Sequence, residues 1–181
     1  HVVAFAGTDD IADALTDGLQ TFGFEEKQYP LAQYAAEVYS GNIGPNQRLS
    51  YVGHSLGGGL ASAAAFTTGH PATTFNSASI NGETKTNLKL NKSADIVNYV
   101  VAGDAVTYGQ AIVEEFAEGK MITLANPESL MSFNQYAKSI GYSVTWYNET
   151  YLRVKYGGYV LDYRINAHMT STIRDALNNE K

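Results

Sequence analysis

Residues 49–66 read LSYVGHSLGGGLASAAAF, and this stretch decides the expected fold. Residues 49–52 form a predicted strand, and residues 60–66 are rich in the alanine that favours a helix. Between them lies a tight turn, residues 53–57, with the pattern Gly-x-Ser-x-Gly. In this context the pattern lifts the serine hydroxyl above the sheet edge, because larger residues would collide at the two glycine positions. We therefore predict that Ser55 is a nucleophile.

The helix after Ser55 is expected to provide an anion-binding site at its N-terminus. Its first backbone N–H groups have no intrahelical acceptor and point toward the turn. The N–H of Leu56 is therefore the expected donor to the oxyanion that forms when a serine attacks a carbonyl group. A glycine turn used only for close helix–strand packing is the alternative for the motif by itself. A phosphate-binding loop would need Gly-Lys-Ser/Thr, which is absent.

The flanking segments extend this alternation of strand and helix. Residues 2–6 form a predicted strand that stops at Gly7-Thr8, and residues 72–75 and 96–102 form two more. A further helix is predicted where apolar residues recur at helical spacing: Leu31, Tyr34, Ala35, Val38 and Tyr39. Strand, helix, strand, helix, strand in this order indicates an α/β fold, with a mostly parallel sheet flanked by helices.

The last third of the chain has a different pattern. Two helices are predicted there, residues 111–116 and 128–140. Three Tyr- and Val-rich segments follow, of a composition that favours strands: residues 142–147, 151–156 and 159–165. Turn sequences separate them, Asn148-Glu149 and Gly157-Gly158. We expect a small C-terminal antiparallel meander added to the main sheet.

Length, charge and cysteine content limit the classes of function. With 181 residues and 44% hydrophobic content, the chain is expected to form one domain, residues 1–181. Its net charge of −6 argues against a nucleic-acid partner, and any transient contact with a membrane or lipid interface would have to be apolar and local. The lack of cysteine removes disulfides and thiolate chemistry. The start at His1, directly before a strand, indicates a fragment that lacks its first strands, and no targeting signal is visible.

A serine nucleophile needs a base, and the chain has four histidines. His1 is terminal. His54 adjoins Ser55, and on this turn its ring cannot easily reach round to the neighbouring hydroxyl. His70 lies at the far end of the following helix, roughly 20 Å from Ser55 at about 1.5 Å per residue. By elimination we predict that His168, in a loop after the last predicted strand, is the general base.

The third member should be a carboxylate that orients the imidazole. Asp104 follows the strand at residues 96–102, so it belongs at the same sheet edge as Ser55. The order Ser55, Asp104, His168 is the one expected for this strand–turn–helix serine site. Three other aspartates are excluded because they lie before a strand, inside a predicted strand and on a helix beyond the histidine: Asp95, Asp162 and Asp175.

Four segments together resemble the fungal-type, or class 3, lipases and their bacterial lipase-like relatives in the α/β-hydrolase superfamily. Residues 2–8 resemble the oxyanion strand of that family, and residues 13–17 resemble the segment that follows it. Residues 51–59 resemble the nucleophile turn, and residues 98–104 the strand that delivers the acid. The resemblance covers roughly the first hundred residues and implies an α/β-hydrolase core.

The resemblance also implies an oxyanion hole, formed by Thr8 together with the N–H of Leu56. It assigns a lid to residues 9–19. Asp9 and Asp10 then suit the N-terminus of a lid helix, where the helix dipole favours negative charge. A calcium site at these two aspartates is the less favoured alternative. No metal or organic cofactor is needed for the expected chemistry.

The predicted function is that of a serine carboxylic-ester hydrolase, which acts on lipid esters through an acyl-enzyme. The family resemblance favours secretion. The same site would serve a phospholipase, including a secreted antibacterial toxin, or an acyltransferase. An alternative from another class is a catalytically inactive hydrolase fold that serves as a binding module. The complete set of Ser55, Asp104 and His168 argues against it.

Overall fold

The computed structural model describes residues 1–7, 27–112 and 116–180. Within these ranges one sheet has the order β1-β2-β3-β4-β5, and every neighbouring pair is parallel. Its strands are β1 (Val2–Phe5), β2 (Ser50–His54), β3 (Ala72–Phe75), β4 (Ile96–Val101) and β5 (Lys120–Leu124). The described helices are α1 (Gln28–Asn42), α2 (Leu56–Thr68), α3 (Gly82–Asn87), α4 (Ala105–Ile112), α5 (Phe133–Ser139), α6 (Glu149–His168) and α7 (Thr170–Asn179). The predicted α/β class with a mostly parallel sheet is confirmed, while β5 has no counterpart among the predicted strands.

The parallel order brings the carboxyl ends of the strands to one edge. β2 pairs with β1 through Phe5 and Gly53, and with β3 through His54 and Phe75. Residues that directly follow β1 to β4 therefore lie side by side along this edge, which is where parallel sheets place their binding sites.

Helix α2 is almost entirely buried, since it packs against α1 and three strands. Its sequence consists largely of Gly, Ala and Ser, and these small side chains let the neighbouring backbones approach closely. Gly59 shows this directly, because an added Cβ would lie 2.5 Å from the hydroxyl oxygen of Tyr29 in α1.

Helix α1 forms as predicted, but the apolar spacing indicated the wrong face. The residues of α1 that are buried are Tyr29, Ala32 and Ala36. Four of the larger residues on the predicted face are exposed: Leu31, Tyr34, Val38 and Tyr39. The physical reason is the surface of small side chains on α2, which α1 approaches closely through Ala32, Ala36 and the hydroxyl end of Tyr29. The four residues on the other side of α1 remain in solvent.

The predicted C-terminal meander is wrong. Residues 151–156 and 159–165 lie within the single 20-residue helix α6, and residues 142–147 have no strand structure. Tyr156 and Tyr159 pack on Tyr136 of α5, with ring centroids 5.8 and 4.9 Å apart. Strand propensity was misleading because tyrosines three residues apart on a helix share one face.

The glycine pair within α6 was misinterpreted for a related reason. Gly157 and Gly158 were expected to form a turn, but both lie in the helix and neither has a positive φ. A Cβ added at either residue would meet no atom within 4 Å. Nothing in the packing therefore requires glycine there, and tertiary contacts of the rest of α6 outweigh its low helix propensity.

The other predicted elements of this region are only partly reproduced. The helix expected at residues 128–140 is shorter, because Ser132 and Gln135 form a capping box that starts α5 at Phe133. The helix expected at residues 111–116 begins earlier, as α4, and residues 113–115 lie outside the described ranges. In the described parts of the chain, no helix combines the length and apolar character that a membrane span requires.

Candidate active site

The turn after β2 holds Ser55 in a strained conformation. Ser55 has φ 58° and ψ −127°, and it is only 2% exposed. Its N–H donates to the carbonyl of Phe75, and its carbonyl accepts from the N–H groups of Gly58 and Ala78. These bonds from the neighbouring strand and helix fix the turn, as expected where backbone strain is part of a functional site.

The two glycines of the motif are required by close backbone contacts. A Cβ at Gly53 would overlap the backbone of Gly57, and a Cβ at Gly57 would overlap the carbonyl of Phe5. Gly7 also approaches the turn, since an added Cβ would lie 2.7 Å from the carbonyl oxygen of His54. The sterically crowded turn predicted from the sequence is therefore present.

The predicted oxyanion residues are described only in part. Leu56 is the first residue of α2 and is buried, so its N–H is one of those that have no acceptor within the helix. Thr8 and the predicted lid at residues 9–19 lie outside the described residues. Gly7, which precedes Thr8 in sequence, nonetheless lies against the turn at Ser55.

Asp104 follows β4 through Gly103 and is 2% exposed. Its Oδ2 accepts from the N–H of Thr107 at 2.7 Å and so caps the N-terminus of α4. Its Oδ1 accepts from Nδ1 of His168 at 2.5 Å. The two carboxylate oxygens thus have separate tasks, since one holds the carboxylate in place and the other orients the histidine.

His168 is the last residue of α6 and is fully buried. The sequence had placed it in a loop after a strand, which is wrong because the preceding segment is helical. With Nδ1 donating to Asp104, the neutral ring has its lone pair on Nε2. No side chain or backbone group of the described residues hydrogen-bonds to this Nε2. The histidine is therefore held in the tautomer that can accept a proton at Nε2.

His54 was excluded as a base, but it contacts His168 directly. The two rings lie 4.6 Å apart, and Nε2 of His54 donates to the backbone carbonyl of His168 at 2.7 Å. Burial lowers the pKa of His54 below its ordinary value of 6.5, and the adjacent His168 lowers the pKa further. A neutral His54 ring with its proton on Nε2 satisfies this contact.

Asn76, which directly follows β3, binds the same carbonyl of His168 and was not predicted from the sequence. Its amide nitrogen donates to the carbonyls of Ala167, at 2.9 Å, and His168, at 3.3 Å. Its amide oxygen accepts from the N–H of Val101 at 2.9 Å. Asn76 is fully buried and has φ 42°, a left-handed conformation that asparagine tolerates better than most residues. An asparagine directly after a strand was the signal that could have identified it.

Two further contacts hold α6 against the turn that carries Asp104 and against α4. Gly103 has φ 90°, and an added Cβ would lie 2.7 Å from the ring of Tyr163. Arg164 stacks over the ring of Tyr108, 3.7 Å from its centroid. The close approach of α6 to Gly103 thus places the end of the helix beside the carboxylate.

A cavity of about 410 Å³ opens beside His54, and its walls are mainly apolar. It lies between the ends of two strands and α7, and it is lined by His54, Phe75, Thr170, Ile173, Arg174, Leu177 and Asn178. Arg174 is the cationic residue of this lining, and its side chain also contacts Asp175.

The residues excluded on sequence grounds lie away from this cluster or have other partners. His70 hydrogen-bonds to Ser40 at 3.0 Å. Asp95 directly precedes β4, and Asp175 pairs with Arg174 on α7. Asp162 was expected in a strand, but it lies on helix α6.

One curated relative of the chain is a phospholipase. The chain is 35% identical over 149 residues to an extracellular phospholipase A1 of Serratia liquefaciens. The match covers 77% of this chain and 46% of that protein, so the chain spans about half the length of its relative.

Similar solved structures are esterases. An acetyl xylan esterase from Thermoanaerobacterium sp. matches at TM-score 0.37 and 14% identity, over 75% of this chain and 52% of that one. A Rhizomucor miehei esterase structure matches at TM-score 0.31 and 12% identity, over 75% of this chain and 60% of that one.

A family model that matches about four-fifths of the chain identifies its protein family. Residues 1–145 match the Tle-like phospholipase domain, a phospholipase-like family. The match contains Ser55 and Asp104 and ends before His168. It confirms the predicted lipase-like hydrolase at the level of the family, while the narrower resemblance to class 3 lipases stays a prediction. The chain belongs to the Tle-like phospholipase family.

Proposed function

We propose that this chain carries the active site of a phospholipase that cleaves a carboxylic ester of a phospholipid. The observation that carries the proposal is the buried bond between Asp104 and Nδ1 of His168, which leaves Nε2 without a partner among the described residues. Family membership and the phospholipase A1 relative support phospholipid as the substrate class, the first of the alternatives to a general lipid esterase.

In the proposed mechanism Ser55 attacks the ester carbonyl while His168 takes its proton at Nε2. Asp104 keeps the imidazole in the required tautomer and stabilises the imidazolium that forms. Collapse of the tetrahedral intermediate releases the lysophospholipid, which takes the proton from His168. Water then attacks the acyl-enzyme and gives its proton to His168. Collapse of the second intermediate breaks the bond to Ser55, whose oxygen takes the proton back from His168, and a free fatty acid leaves.

The anionic intermediate requires donors near Ser55. The N–H of Leu56, at the start of α2, is the first proposed donor. Thr8 is the second, and its support is the short distance between Gly7 and the turn. Because α2 begins directly after Ser55, its dipole adds to the stabilisation of negative charge at this point.

The decisive experiment combines active-site labelling with product analysis. A fluorophosphonate probe should label the wild-type protein and fail to label Ser55→Ala, with equal circular dichroism for both. A phospholipid with different acyl chains at its two ester positions then identifies the fatty acid released. Labelling that persists in Ser55→Ala would overturn the assigned nucleophile, and a wild type that is never labelled would favour an inactive binding module.

Substrate comparison separates the remaining alternatives. We expect faster release of fatty acid from phospholipid than from triglyceride in matched mixed micelles. Faster hydrolysis of triglyceride would favour a lipase, and transfer of the acyl group to an added alcohol in preference to water would favour an acyltransferase. Secretion is part of the proposal because the relative is extracellular, and detection in the culture medium of the source cells tests it.

A further inference from the structure

The segment between α5 and α6 presents large apolar side chains to solvent. Trp146 is 90% exposed and Tyr147 is 74% exposed. Three neighbours in sequence are also exposed, and the five together are called the aromatic tip: Tyr142, Val144, Trp146, Tyr147 and Tyr151. They differ from the tyrosines at the middle of α6, which pack on α5. Three of the five, Trp146, Tyr147 and Tyr151, lie beyond the stretch that matches the phospholipase family.

Hydrogen bonds fix the backbone of the tip, although its side chains are exposed. The Asn148 side chain accepts from the N–H of Thr145 at 2.8 Å and donates to the carbonyl of Ser143 at 3.0 Å. One turn later, Leu152 is fully buried and anchors the start of α6. The exposed rings are therefore mounted on an ordered turn, which lowers the entropy cost of binding to a surface.

The charges around the tip differ from those of the whole chain. Between residues 138 and 155 the cationic side chains are Lys138, Arg153 and Lys155, and the single anionic one is Glu149. Glu149 pairs with Arg153 at 2.6 Å, and Lys155 lies over the ring of Tyr151. This segment therefore carries a net positive charge in a protein whose net charge is −6.

We propose that the aromatic tip docks on the surface of a phospholipid membrane with anionic headgroups. Trp and Tyr have an apolar ring with a polar group, which suits the boundary between headgroups and acyl chains. The lysines and Arg153 add attraction to anionic lipid, which falls off within a Debye length. A second copy of this chain, with its net charge of −6, would not by itself account for the net positive charge of this segment.

The tip is an anchor and is separate from the active site. Helix α6 has 20 residues, so its start lies about 30 Å from His168 at its end, at about 1.5 Å per residue. The inference rests on the proposed phospholipase function for its lipid partner. It predicts that loss of the tip impairs action on vesicles and leaves action on dissolved esters unchanged.

Trp146 is the single tryptophan of the chain, so fluorescence reports on the tip directly. Ser55→Ala protein would be mixed with vesicles of phosphatidylglycerol or of phosphatidylcholine, so that the lipid stays intact. We expect a blue shift of the emission, protection from aqueous acrylamide and quenching by brominated acyl chains, all stronger with phosphatidylglycerol. Sedimentation with vesicles while Trp146 remains in water would overturn the proposal, and so would a lack of any binding.

Matched variants separate the tip from general exposure of aromatic residues. The Trp146→Ala/Tyr147→Ala variant should lose about tenfold or more in vesicle affinity and in hydrolysis of vesicle phospholipid. Its kcat/KM on a dissolved short-chain ester should equal that of the wild type. The control is Tyr34→Ala, which removes a 68% exposed tyrosine from α1 and should change neither quantity.

The outcomes also distinguish this inference from the proposed function. If the wild type cleaves no ester but Trp146 still enters vesicles, the proposed function fails and the docking surface stands. Equal loss of vesicle binding in Tyr34→Ala would overturn the specific role of the tip. Concentration-dependent dimerisation that disappears in the tip variant, without vesicle binding by the wild type, would assign the tip to a second copy instead.

Discussion

Two regions supply the candidate site, and they position their side chains in different ways. The strand-end region holds Ser55 and Asp104, and the helical region holds His168. In the first, each side chain is positioned by its own local sequence, through a glycine turn after β2 and a glycine step after β4. In the second, His168 ends a long helix, and its position depends on contacts with Asn76 and His54. The position of a candidate catalytic residue can thus be fixed locally, or it can depend on how a whole helix docks.

The largest expected effect comes from removing members of the proposed triad. Ser55→Ala, His168→Ala and Asp104→Asn should each lower kcat/KM on a dissolved ester by about 10⁴-fold or more. If the two regions act as one unit, Ser55→Ala/His168→Ala should be no worse than either single variant. Steady-state kinetics of purified proteins provide the measurement. Wild-type activity in His168→Ala would show that the base is assigned wrongly.

The next largest effect is expected at Asn76, whose side-chain hydrogen bonds join the two regions. Asn76→Gly keeps the left-handed conformation and removes three buried hydrogen bonds, so we expect a loss of about 2–3 kcal/mol in the free energy of unfolding. Because His168 would lose part of its support, kcat should fall while KM changes little. Urea unfolding and steady-state kinetics measure the two effects. A stability loss without any change of kcat would restrict Asn76 to folding.

A pair of glycine substitutions then contrasts the two regions. Gly157→Ala should stabilise the protein by about 0.5–1 kcal/mol, because it lies in helix α6 with space around it. Gly53→Ala should destabilise it, because the new Cβ would overlap the backbone of Gly57. Thermal or urea unfolding of both variants provides the test. Destabilisation by Gly157→Ala would instead favour the turn of the predicted meander.

The smallest effect is a pH dependence at His54. Its pKa is lowered in the folded protein, chiefly by burial, so the unfolded chain binds a proton at a higher pH than the folded one. Its contribution to stability is therefore complete above pH 6.5 and is lost as the pH falls toward the folded pKa. His54→Gln should reduce the loss of unfolding free energy between neutral and mildly acidic pH. An unchanged pH dependence in His54→Gln would contradict this assignment.

Local patterns allowed the strand-end half of the site to be placed correctly and misled the prediction for the rest. Ser55 and Asp104 each directly follow a predicted strand, so their common edge followed from the parallel order alone. His168 was chosen as the candidate base by elimination among four histidines, and its surroundings were predicted as strands. The roles of Asn76 and His54 were missed because their partners lie 91 to 114 residues further along the chain.

By itself the sequence determined the parallel α/β core, the strained turn at Ser55 and the edge at which Asp104 lies. It could do so because glycine spacing and strand order act over a few residues, where sterics leave little choice. The tertiary structure alone decided that the tyrosine-rich third is helical, that α1 buries Tyr29, Ala32 and Ala36, and that a helix end brings His168 to Asp104. Those outcomes depend on how closely distant surfaces pack, and packing energy outweighs local propensity once a whole helix face is buried.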